Sequence, residues 1–84
     1  KNLVSANLAD WIELSPDYSM VEAAVPQKWI GRTLKELDVR RTYEVNVVGI
    51  KEGERVEITP DPELPLGRGM ILMLVGSNEA LKRI

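Results

Sequence analysis

The stretch ELDVRRTYEVNVVGIKEGERVEITP, Glu36 to Pro60, decides how the rest of the chain is read. Val45–Ile50 is rich in β-branched residues, and Glu52-Gly53 supplies a tight turn. Arg55–Thr59 resumes an apolar–polar alternation, which predicts a β-hairpin. In the second strand Val56 and Ile58 are expected to face inward and Arg55 and Glu57 outward. Alternation also puts Asn46 on a face with Val48 and Ile50, with Val45 and Val47 on the other. Upstream, Arg40 and Arg41 close a short helix. The chain therefore passes from a cationic helix end directly into a strand that opens on an amide.

Working outward, GRTLKELDV predicts a helix with a capping box. The Thr33 hydroxyl accepts from the Glu36 amide, and the Glu36 carboxylate returns to the Thr33 amide. Leu34 and Leu37 mark its buried side. MVEAAVP alternates Val21, Ala23 and Val25 and stops at Pro26, as a strand does. SPDYS is turn material. At the N-terminus, Val4, Leu8, Trp11 and Ile12 have the spacing of one helical face, and Asn2 is a candidate cap. Beyond the hairpin, PDPELPLGRG reads as an ordered, irregular loop stiffened by prolines. The loop's Gly67–Gly69 turn feeds MILMLVG, whose lack of alternation predicts a central strand covered on both faces. SNEALKRI is a helix with Ser77 as N-cap, Glu79 in its first turn and Lys82 and Arg83 at its end. The predicted order is helix, strand, helix, three strands, helix, which is a small α+β domain with a single sheet.

Composition narrows the function. Eighty-four residues make one small domain, without cysteine or histidine. This excludes a disulfide framework and leaves only carboxylates for any metal. A net charge of −2 with mixed signs argues against nucleic-acid binding, which needs a concentrated basic surface. Met70–Val75 is far too short to span a bilayer. No histidine, cysteine or nucleophile-elbow serine offers catalysis, and Asp61 and Glu63 read as solvated loop acids, so no enzyme is expected. A chain of this size gains stability from a second copy, which favours a dimer.

Three residues remain open. Arg40 is either a cation favoured at a helix C-terminus or an anion ligand with fork geometry. Asn46 either satisfies backbone groups at the strand end or reads a nucleobase edge, as asparagine does with adenine N6 and N7. Trp29 is either a cover for the core edge or a stacking surface.

From VPQKWIGRTLKELDVRRTYEVNVVGIKEGERVEITPDPELPLGRGMILMLVGSNEALKRI, the chain resembles the RCK C-terminal domain, also called TrkA-C. The shared pattern is a G-x-T-L-x-E-L helix, an R-x-x-Y-x-V-x-V strand, a charged hairpin and a proline loop. An apolar strand ending in Gly-Ser and a short helix complete it. The resemblance covers residues 19–84. Residues 1–18 resemble the helix and turn that join this domain to an N-terminal Rossmann-type RCK domain in cytosolic subunits of Ktr-type potassium uptake systems.

The resemblance implies a homodimeric, cytoplasmic regulatory domain, peripheral to the membrane through a potassium-translocating subunit. No cofactor is implied, but cyclic di-AMP is implied as a regulatory ligand across the dimer interface. Carried over, Leu34 would lie beneath the bases, Arg40 near the phosphates and Thr42 at the turn. Asn46 would meet an adenine edge, Val47 would pack on the base, and Pro60 or Pro62 would close the side. A ligand-free assembly lobe, or the lobe of another RCK-containing transporter, is the alternative.

Overall fold

The computed structural model describes residues 8–84. A five-stranded antiparallel sheet has the order β1-β2-β5-β3-β4. Its strands are β1 Leu8–Glu13, β2 Tyr18–Ala24, β3 Val45–Glu52, β4 Arg55–Glu57 and β5 Met70–Ser77. Among the described residues three short helices, α1 Leu34–Leu37, α2 Val39–Thr42 and α3 Asn78–Lys82, accompany it, with a 3₁₀ turn at Gln27–Trp29.

The core lies on one face of the sheet. Val21 and Ala23 of β2, Val45 of β3, and Leu72 and Leu74 of β5 are buried there. Leu37, Val39, Leu66, Ala80 and Leu81 come from the helices and the proline loop. Trp29 is fully buried and meets the Tyr43 ring at 4.9 Å and 54°, a tilted contact of the kind aromatic pairs favour. Trp29 is therefore a core residue, not a ligand-stacking surface.

Several local expectations are met. Thr33 and Glu36 form both halves of the capping box, at 3.0 and 3.1 Å. Ser77 caps α3 by accepting from the Ala80 amide at 3.0 Å. The proline loop feeds β5 through a turn in which the Met70 amide donates to the Gly67 carbonyl.

Six expectations are corrected. The predicted N-terminal helix is, over its described part, strand β1, paired antiparallel with β2 (Trp11 opposite Val21, Ile12 opposite Met20). Asn2 and Val4 lie outside the described residues. Trp11 and Ile12 thus point to opposite faces, and a helical stripe is impossible. The cause is tertiary: the edge of β2 presents unpaired amides and carbonyls that a strand satisfies, and this outweighs a weak helical preference. The SPDY turn makes the hairpin possible, with the Ser15 hydroxyl accepting from the Asp17 and Tyr18 amides.

The helix before β3 is two helices, not one. Asp38 adopts the left-handed conformation (φ 49°, ψ 57°) between α1 and α2, so Arg40 and Arg41 belong to a separate turn. The β3–β4 turn centres on Gly53-Glu54, because Glu52 pairs with Arg55. Gly53 has φ +62°, the glycine-first pattern of a type II′ hairpin.

Finally, β3 carries an irregularity between Val47 and Gly49. The extra residue, Val48, reverses the alternation. Ile50 pairs with Leu72 and joins Val47 against the core, so it does not share a face with Asn46. β4 is exposed throughout, with Val56 at 51%, and Ile58, just past its end, is at 75%, so neither faces the core. The central strand β5 alternates buried and half-buried residues, because the helices cover one face of the sheet. Its other face carries Met20, Ile71, Met73 and Val75 only half-buried.

Candidate ligand cleft

The cleft is assembled by a zipper between two segments far apart in the sequence. The Gly31 amide donates to the Leu66 carbonyl, the Leu66 amide to the Arg32 carbonyl and the Lys35 amide to the Pro62 carbonyl, all at 2.8–2.9 Å. Thr33 and Pro65 form an isolated bridge between the first two and the last of these bonds. Within the loop, Asp61 accepts from the Glu63 amide at 2.9 Å, an Asx-type turn that shapes the loop tip. The prolines lower the entropy lost on holding this conformation. The loop is thereby held against α1, opposite the start of β3.

The space between them is about 450 Å³, lined by Leu34, Lys35, Asp38, Val39, Arg40, Asn46, Val47, Pro62 and Glu63. A small-molecule site commonly has this size and this mixture of apolar wall and few polar groups. Five residues singled out from the sequence meet here: Leu34, Arg40, Asn46, Val47 and Pro62. Thr42 and Pro60 are not part of the lining. The Thr42 amide instead donates to the Asp38 carbonyl at 2.8 Å, closing α2, and the Thr42 side chain is exposed.

β4 pairs with β3 only at Ile50–Glu52. The preceding residues of β3 therefore have an open edge toward the cleft, and this is why both Asn46 and its neighbour Val47 contribute to it. Asn46 is exposed, and no residue among those described hydrogen-bonds its side-chain amide. Arg40 is exposed as well and has no carboxylate partner among the described residues. Its neighbour Arg41 lies 4.0 Å from Asp38. The separation of α1 from α2 assigns these roles. With the chain turned at Asp38, Arg40 projects to the cleft while Val39 packs into the core.

Four lining residues were not anticipated: Lys35, Asp38, Val39 and Glu63. Each adjoins an anticipated one or lies on the same two short helices, so adjacency was the available signal. The Lys35 ammonium and the Glu63 carboxylate are 3.5 Å apart across the rim, both well exposed. Among the described residues no cluster of three or more acidic side chains has the arrangement of a metal site. No described helix is long and apolar enough to cross a membrane.

Comparison with known proteins gives these residues a context. The TrkA-C domain model matches residues 20–84. The Ktr system potassium uptake protein C of Bacillus subtilis (strain 168) is 37% identical over 98% of this chain and 37% of its own length. Ktr system potassium uptake protein A of the same organism is 28% identical over 99% of this chain and 37% of its own length. The chain therefore spans little more than a third of these curated relatives. Among solved structures, the RCK C domain of the potassium transport protein KtrA, in complex with cyclic diadenosine monophosphate, is 35% identical. It superposes with a TM-score of 0.73 over 79% of this chain and 78% of that one. The GsuK RCK domain is 26% identical, with a TM-score of 0.77 over 90% of this chain and 17% of that one.

Proposed function

The chain belongs to the TrkA-C domain family, the RCK C regulatory domain of potassium transport proteins, and from this we propose that it binds cyclic di-AMP between two copies of itself. The observation that carries the reading is the meeting of a cation, Arg40, with the side-chain amide of Asn46, neither paired among the described residues, over an apolar wall of Leu34, Val39, Val47 and Pro62. Arg40 meets a phosphate through its guanidinium fork. Asn46 meets the adenine edge, offering one donor and one acceptor, and the apolar wall and the proline hold the base. Thr42 supports the turn and Pro60 the loop, each without touching the ligand. The complex of the 35%-identical KtrA domain with the same ligand supports this choice of nucleotide.

A ligand with two equivalent halves suits a two-fold axis, where each subunit offers the same patch once. In the whole protein, an N-terminal Rossmann-type RCK domain precedes this one. The assembly is cytoplasmic and acts on a membrane potassium-translocating subunit without catalysing a reaction. Ligand binding regulates transport only to the extent that it favours one arrangement of the paired domains over another.

A second reading, a ligand-free assembly lobe, is favoured by the exposed Val48, Val56, Ile58 and Leu64, apolar groups that a partner subunit would cover. Calorimetric titration of the chain with cyclic di-AMP, with linear ATP and AMP as controls, separates the two. Saturation at one ligand per two chains supports the nucleotide-binding reading. Absence of heat from a folded, dimeric protein supports the assembly lobe.

A further inference from the structure

Lys35 and Glu63 both line the cleft, one on α1 and the other on the proline loop that is zipped to it. Their positions are set by main-chain bonds. The Lys35 amide is held by the Pro62 carbonyl, and the Glu63 amide by the Asp61 carboxylate. Their side chains meet at 3.5 Å, yet remain 72% and 70% exposed. Such a pair is weak, because water screens it and two long side chains lose freedom in forming it. It is therefore easily exchanged for a better one.

Charge explains why exchange is favourable. Glu63 is the lining carboxylate within ion-pair distance of the Lys35 ammonium, Asp38 lies 4.0 Å from Arg41 instead, and Arg40 stands without an acidic partner among the described residues. An anion seated on Arg40 faces repulsion from Glu63 and attraction from Lys35 once Lys35 lets go of Glu63. We infer that Lys35 is a second phosphate-contacting cation of the cleft and that Glu63 is its internal competitor, an acidic arm that occupies Lys35 until a phosphate displaces it. This rests on the nucleotide-binding reading given above. It makes affinity the outcome of an exchange, and biases the cleft toward ligands whose phosphate reaches both Arg40 and Lys35.

The test is a double-mutant cycle for cyclic di-AMP, by calorimetry on the chain, with Glu63→Gln, Lys35→Met and the two combined. Melting temperature serves as a control for folding. Freed from its competitor in each of two subunits, Lys35 makes Glu63→Gln bind about two- to thirtyfold more tightly, the range expected for an exposed ion pair relieved twice. Lys35→Met binds more weakly by a similar factor. In the Lys35→Met background the gain from Glu63→Gln shrinks to the part owed to direct repulsion of the anion, because the carboxylate has no cation left to release. An equal gain in both backgrounds would make Glu63 a simple repulsive charge and overturn the competitor role. Unchanged affinity in Lys35→Met would remove Lys35 from the site while leaving the Arg40–Asn46 reading intact. If the unsubstituted chain takes up no cyclic di-AMP, both readings fall together.

Discussion

Replacing Asn46 by alanine separates a binding role from a structural one. The side chain is exposed and makes no hydrogen bond to any described residue, so its removal leaves no buried group unsatisfied. Such a surface substitution changes stability by no more than about 0.5 kcal/mol. For a domain of this size that moves the melting temperature by less than about 4 °C. Binding should respond very differently. An asparagine paired to an adenine edge is worth about 1–3 kcal/mol. A ligand on a two-fold axis meets the same asparagine twice, so the loss doubles to about 2–6 kcal/mol, a weakening of roughly thirtyfold to more than ten-thousandfold. A one-to-one complex would lose only the single contact, about five- to 150-fold. Calorimetry on Asn46→Ala with cyclic di-AMP measures both the stoichiometry and the loss, and thermal melting checks the scaffold. Arg40→Ala, which deletes a charge-assisted contact worth about 1.5–3 kcal/mol per subunit, should act in the same direction without changing the protein's association state. Affinity unchanged in both variants would refute the proposed contacts.

Three further substitutions test the scaffold. Thr33→Ala removes the hydroxyl that accepts from Glu36 at 3.0 Å, and should lower stability by about 0.5–2 kcal/mol in denaturant unfolding. Ser19 is 1% exposed and its hydroxyl donates to Asn78 at 2.6 Å, while the Asn78 amide group donates to the Pro16 carbonyl. Ser19→Ala strands the Asn78 oxygen and should cost about 1–3 kcal/mol, read by thermal or urea unfolding. A methyl at Gly76 would come within 2.9 Å of the Val45 side chain and 3.3 Å of the Glu44 carbonyl. Val45 is enclosed in the core, so Gly76→Ala should cost about 1–3 kcal/mol in the same assay. At Gly49 the nearest atom is the flexible Met73 sulfur, at 2.8 Å, and the same substitution should cost less.

Part of the cleft could be read before any fold was known. Arg40 and Asn46 stood out because a cation and an amide framed the entry into a valine-rich strand, and Leu34, Val47 and Pro62 followed from the family pattern. Thr42 and Pro60 followed from the same pattern yet lie outside the lining. Lys35 and Glu63 could not be paired from sequence, because nothing local links them. They meet only after the proline loop has zipped onto the segment beginning at Gly31.

What the sequence by itself determined lies within a few residues of its cause. The Thr33–Glu36 capping box, the Ser77 cap, the alternation of Val21, Ala23 and Val25 and the turn at Gly53 are each satisfied by neighbouring groups. The tertiary structure alone decided the rest. Residues 8–13 became a strand because β2 offered an edge whose hydrogen bonds required a partner. Ile50 turned inward because a single extra residue, Val48, reset the pleat. Val56 and Ile58 remained exposed because β4 lies at the sheet's rim with no helix above it. Periodicity encodes which residues share a face, but whether that face is covered depends on surfaces distant in the chain.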